Sequence, residues 1–167
     1  MDSTHLHLIL NHFPIIGSVI AVFILMYGTY KNYIPLQKVA LVLIVVLSII
    51  AIPVFLTGEP AEASVENLPG VSELVIEEHE EAAELSIWVM EFTGVLAFVA
   101  LWLIMGKKKS AALTVYLVIV AGWLSFAMMA RTGYLGGQIR HSEIRSGNTA
   151  AALQETGGSG ETAEDDD

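Results

Sequence analysis

Apolar residues in this chain gather into four blocks separated by short polar stretches, over residues 8–30, 39–56, 86–105 and 111–130. None shows the in–out alternation of a barrel strand, and each is close to the roughly 20 helical residues needed to cross a hydrocarbon layer about 30 Å thick. The pattern predicts an all-α integral membrane protein, a bundle of four transmembrane helices. Pro14 sits about a turn inside the first block and predicts a kink near its end, and Pro53 falls near the end of the second.

The polar stretches are strongly asymmetric. Lys31 and Lys38 bracket the first connection and Lys107, Lys108 and Lys109 fill the third, so all five lysines lie on one side. The positive-inside rule makes that side cytoplasmic and places both termini outside, an N-out, C-out topology. Arg131, Arg140 and Arg145 fall on the outer side, against the trend that the loops set. The N-terminus has no basic segment and no small-residue cleavage pattern, so the first block reads as a retained span. Residues 1–147 are expected to form the transmembrane domain, with an outer acidic loop over 58–85. Within that loop Ser72 can cap a helix that runs straight into the third span, extending helix three on the outer side. Residues 148–167 have almost no apolar content and read as a disordered acidic tail.

Composition sharpens this picture only in part. The chain is 54% hydrophobic and 16% charged, with a mean hydropathy of +0.61. Its formal charge of −10 is local: nine acids lie between Glu59 and Glu84 and six between Glu155 and Asp167. No basic patch suggests nucleic acid. The chain has no cysteine, which excludes disulfides, thiolate ligands and thioether-attached haem.

The candidate chemistry lies in five histidines, His5, His7, His12, His79 and His141, all placed by this topology at or above the outer surface. At about 100° per residue, His79 shares a face with Val75, Ile76, Ala82, Ala83 and Ser86, while Glu73, Glu77, Glu80, Glu81 and Glu84 fall on the far side. A packed, hydrogen-bonded core histidine is the plain reading of such a position, but the two alanines one turn below also leave room for a flat group. His12 and His7 are about 140° apart on their helix and suit neighbouring sites better than one. His5, nearest the start, reads as a surface residue. His141 follows Gly133, Gly136 and Gly137, which either break helix four or let another group approach closely, and it is flanked by Arg131, Arg140 and Arg145. Those arginines suit haem propionates or, equally, Glu59, Glu62 and Glu66. Glu91 is an acid inside the third span and a functional candidate on that ground.

Imidazoles on three helices converging at one end suit b-type haem, one or two groups, bound by His7, His12, His79 and His141 with Arg131 and Arg140 toward the propionates. The expected role is then electron transfer, as a carrier or a subunit of a respiratory or photosynthetic complex rather than a stand-alone enzyme. The acidic outer face would attract a basic cytochrome c, and a quinone contact is compatible with Glu91. The same four histidines could instead hold copper, zinc or iron with Glu62 or Glu78. A structural or assembly subunit without cofactor is the third reading.

The run HLHLILNHFPIIG, the segment EEHEEAAEL and the stretch GYLGGQIRHSEI together resemble the bacterial four-helix membrane proteins grouped as domain of unknown function 2231, or a close sister group. The resemblance covers roughly residues 5–145. It implies a multi-pass protein of the bacterial inner membrane and marks His7, His12, His79 and His141 as the family's histidine positions. The chain departs from that pattern at His7-Leu8, where the family often has His-Pro, and in a shorter spacer before His141.

Overall fold

A computed structural model describes residues 3–65 and 71–140, and these are entirely helical apart from short connections. The elements are α1 (Ser3–Leu10), α2 (His12–Tyr30), α3 (Ile34–Leu56), α4 (Gly58–Ala63), α5 (Glu73–Met105) and α6 (Ala111–Arg140). Four helical stretches, Thr4–Tyr30, Ile34–Ala63, Glu73–Met105 and Ala111–Ile139, are long and apolar enough to cross a membrane. The protein is therefore a multi-pass membrane protein built as a four-helix bundle. The tail and His141 lie outside the described residues.

The bundle closes as a ring in which α2 packs on α3, α3 on α5, α5 on α6 and α6 back on α2. Its interior is small-residue packing of the kind that lets membrane helices approach closely without a hydrophobic driving force. Ala21, Ala40, Ala97 and Ala100 are fully buried beside Leu25, Leu41 and Val118. Gly94 faces the Ser48 side chain and Gly122 faces Val22, so that a methyl group at either would collide with its neighbour. Thr93 and Ser125 join α5 to α6 through hydroxyls 2.8 Å apart, both fully buried. Large apolar side chains point outward instead, among them Phe23, Ile49, Phe98 and Val120. An outward apolar surface of this extent is a lipid-facing surface. Tyr30, Tyr33, Trp102 and Tyr116 are exposed toward the lysine end, and Trp88 and Tyr134 toward the acidic end, as interfacial aromatics commonly are.

Two features of the fold matter for the site. The first span is kinked near its end: α1 ends at Leu10 and α2 begins at His12, with Asn11 between them in helical conformation (φ −60°, ψ −28°) and its N–H on the His7 carbonyl at 2.9 Å. Pro14 explains the kink, since it has no N–H for the Leu10 carbonyl four residues back and its ring crowds that carbonyl. Conversely, α6 runs unbroken through Gly133, Gly136 and Gly137 to Arg140. The glycines do not end the helix. A 33-residue α5 and a 30-residue α6 extend about 50 and 45 Å, well beyond a hydrocarbon layer of about 30 Å. Helix α5 does begin just after Ser72, although the serine side chain makes no capping bond and its carbonyl takes the Val75 and Ile76 N–H groups instead.

Candidate functional site

The projecting ends of α5 and α6, together with α1, α4 and the end of α3, enclose an open cavity of about 1180 Å³. His7, His12 and His79 all line it, so three of the four candidate ligands share one chamber. Its deeper wall is apolar, with Pro14, Ile15, Ile87 and Met129, while Glu59, Glu62, Glu77, Glu80, Glu81 and Glu84 border it elsewhere. The acids of α5 from Glu73 to Glu84 are exposed while His79, Val75, Ala82 and Ser86 are buried, yet four of those acids also border the cavity. Glu77, Glu80, Glu81 and Glu84 form an i, i+3, i+4, i+7 stripe, and the cavity opens against that stripe because α1 and α4 stand opposite it.

His79 is buried where α5 crosses α6, and its Nδ1 lies 3.0 Å from the Thr132 carbonyl. A carbonyl only accepts, so Nδ1 carries the proton and donates. Burial pushes the imidazole pKa below its ordinary value, opposed by the Thr132 bond, so the ring is neutral near pH 7 with its lone pair on Nε2. That Nε2 stands 3.8 Å from Glu62 Oε1. The contact is not an ion pair at neutral pH, because Glu62 is itself raised to about 8, first by burial and then by a hydrogen bond and repulsion from Glu80. Glu62 thus keeps its proton and donates it toward the Glu80 carboxylate. Gly136 supplies the space for the imidazole: a methyl group there would come within 3.0 Å of His79 Cε1. Beneath the ring the Ser86 hydroxyl lies 2.8 Å from Thr132 Oγ1, whose own proton goes to the Met128 carbonyl 3.1 Å away.

The other half of the bundle repeats this arrangement. His7 Nδ1 lies 3.0 Å from the Val54 carbonyl of α3, and its ring stands beside Gly58, where a methyl group would be 3.7 Å from Cε1. In both halves the accepting carbonyl precedes the glycine by four residues, one helical turn, so the ring bonds one turn and rests on the next. His7 thereby also has Nε2 free of the carbonyl bond. Thr57 Oγ1 is a further 3.5 Å neighbour of His7 Nδ1 and donates to the Pro53 and Val54 carbonyls.

The remaining candidates divide. His12 is exposed, with Nδ1 3.2 Å from the Leu8 carbonyl of the preceding turn. His5 and Arg131 are exposed and do not line the cavity, and Glu78 also points away from it. Arg140 ends α6, and His141 and Arg145 lie outside the described residues. Glu91 is half-buried in the membrane-crossing part of α5, with Oε1 buried and without a hydrogen-bond partner among the described residues. Among the described residues no three His, Asp or Glu side chains converge as a metal ion requires. Sequence reasoning did not find the Glu62–Glu80 pair, the two carbonyls or the two ring-supporting glycines. The pairing of glycine-bearing segments with histidines one helix away was the available signal.

Compared with known proteins, the chain matches no family model, no curated protein and no solved structure. What the site does therefore rests on its own geometry.

Proposed function

We propose that this cavity holds a b-type haem between His79 and His7 and that the protein carries electrons at the acidic end of the bundle, at the outer face of a bacterial inner membrane. The observation that carries the reading is the matched pair of imidazoles. Each fixes its Nδ1–H on a backbone carbonyl and leaves Nε2 as a lone pair on the shared cavity, the outer-shell arrangement that orients ligating histidines and raises their basicity. The chamber's volume of about 1180 Å³ and its apolar wall suit a macrocycle. Haem supplies a one-electron couple at its iron; the chain's own residues orient the two rings, and the apolar wall limits water.

Charge indicates which way such a group would face. Two propionates would be repelled by the acidic side chains of Glu59, Glu77, Glu80, Glu81 and Glu84 that border the cavity, so they belong away from that rim. The same acidic rim favours a basic electron-transfer partner such as a cytochrome c and predicts a steep dependence on ionic strength.

An absorption spectrum of the purified protein tests the reading. A reduced-minus-oxidised difference spectrum with the sharp α-band of a bis-imidazole haem is expected, and His79→Ala should abolish it while the protein still inserts into the membrane. A colourless protein with stoichiometric copper, zinc or iron would overturn haem in favour of an ion. A colourless, metal-free protein would leave a structural role.

A further inference from the structure

The opposite end of the bundle has a different chemistry and a cavity of its own. A hollow of about 270 Å³ lies between the first and third connections, lined by Asn32, Gln37, Lys108 and Lys109 over an apolar floor that includes Ile104 and Val115. This end is uniformly basic: it carries five lysines, and the sequence has no Asp or Glu from Ser3 to Gly58 or from Phe92 to Ile139. Among the described residues no carboxylate pairs with Lys108 or Lys109. Both connections are tight, each turned by one left-handed residue, Asn32 at φ 51° and Lys107 at φ 52°. The hollow is therefore held by short loops between packed helices.

Gln37 shows that the hollow is more than a basic surface. The residue is buried, with 7% exposed, and its Nε2 donates to the Gly28 carbonyl at 3.2 Å. Its Oε1 takes no hydrogen bond among the described residues, so a fixed amide oxygen lines the same hollow as two unpaired ammonium groups. Cations alone would satisfy any anion. Cations beside an unpaired amide oxygen call for a group that is an anion at one atom and a donor at another.

We propose that this hollow binds the phosphate of a glycerophospholipid headgroup, with Lys108 and Lys109 on the phosphodiester and Gln37 Oε1 accepting from a headgroup hydroxyl, as in phosphatidylglycerol. The apolar floor receives the glycerol end of the acyl chains, and exposed Tyr33 and Tyr116 place the hollow at headgroup level. The volume suits a headgroup and is below the roughly 300–1,000 Å³ of sites that enclose a whole drug-sized ligand.

The full-length protein, purified and reconstituted in bilayers of phosphatidylcholine with a minority of phosphatidylglycerol, provides the test. Lipid retained after mild detergent extraction is counted by native mass spectrometry. The unchanged protein should keep one phosphatidylglycerol, and Lys108→Gln with Lys109→Gln should lower that retention roughly tenfold more than the charge-matched pair Lys31→Gln with Lys38→Gln. Lys31 stacks over Tyr30 and neither control lysine lines the hollow. Equal loss in the two double variants would reduce the effect to bulk charge and overturn the proposal. Gln37→Leu should remove the preference for phosphatidylglycerol over phosphatidic acid, which lacks the headgroup hydroxyl; an unchanged preference would overturn the role of Gln37. Inorganic phosphate added to the same mixed bilayers should not displace the retained phosphatidylglycerol. Displacement would assign the hollow to free phosphate and overturn the lipid.

Discussion

The two histidine stations differ less in what they bond than in what they stand on. His79 and His7 each donate to a carbonyl one turn before a glycine, yet His79 projects from an unbroken 33-residue helix while His7 sits on the eight-residue α1, separated from α2 at Asn11. The first ring is buried and pressed against Gly136. The second is half-buried and only in ordinary contact with Gly58. Equivalent hydrogen bonds thus come with unequal anchorage, one ring on an unbroken helix and the other beyond the kink at Pro14.

The largest expected difference is in cofactor retention. His79→Ala should lose the haem signal altogether, whereas His7→Ala should keep haem with a five-coordinate spectrum; identical loss in both would erase the ranking. Next, Pro14→Ala gives the Leu10 carbonyl a partner and favours one straight helix, which draws His7 away from Val54. The expected cost is about 10–100-fold in cofactor affinity, as for other lost outer-shell support, with helix content by circular dichroism unchanged. A Pro14→Ala protein that binds as tightly as the original would show that the kink is incidental.

Glycine substitutions sharpen the contrast through stability. Gly136→Ala forces a methyl group against a ring already held by Thr132 and should cost about 1–3 kcal/mol, less whatever helix propensity returns. Gly58→Ala meets open contact and should stay within about 0.5 kcal/mol. Thermal unfolding of the two variants in detergent compares them directly, and equal melting temperatures would refute the asymmetry.

Two buried groups give the stability of the cofactor-free protein opposite pH dependences. His79 has a lowered pKa in the fold, so its contribution is present above its ordinary 6.5 and is lost as pH falls through the folded value. Glu62 is raised from 4.5 to about 8, so its contribution is complete below 4.5 and is lost as pH rises through about 8. Glu62→Gln should flatten the fall in melting temperature between about pH 4.5 and 8 and leave the acid-side loss due to His79 intact. A curve unchanged over that range would mean that another group governs it. Ser86→Ala should have the smallest effect, about 1 kcal/mol, because Thr132 keeps its own bond to Met128; a loss of cofactor in that variant would give Ser86 a larger part.

Much of this molecule is settled by local composition. Four apolar blocks fix four membrane-crossing helices because unpaired backbone groups are intolerable in lipid, and six acids over residues 73–84 keep the first part of α5 out of the hydrocarbon. Helical phase also placed His79 on a buried stripe with Ala82 and Ser86. What periodicity could not supply was the register between helices. That His79 meets Thr132 and Gly136, that His7 meets Val54 and Gly58, and that Glu62 of α4 reaches Glu80 of α5 all depend on how far each helix slides along its neighbour. That slide is set by where small residues such as Gly94 and Gly122 admit Ser48 and Val22, contacts between residues 46 and 100 positions apart that no window along the chain can contain.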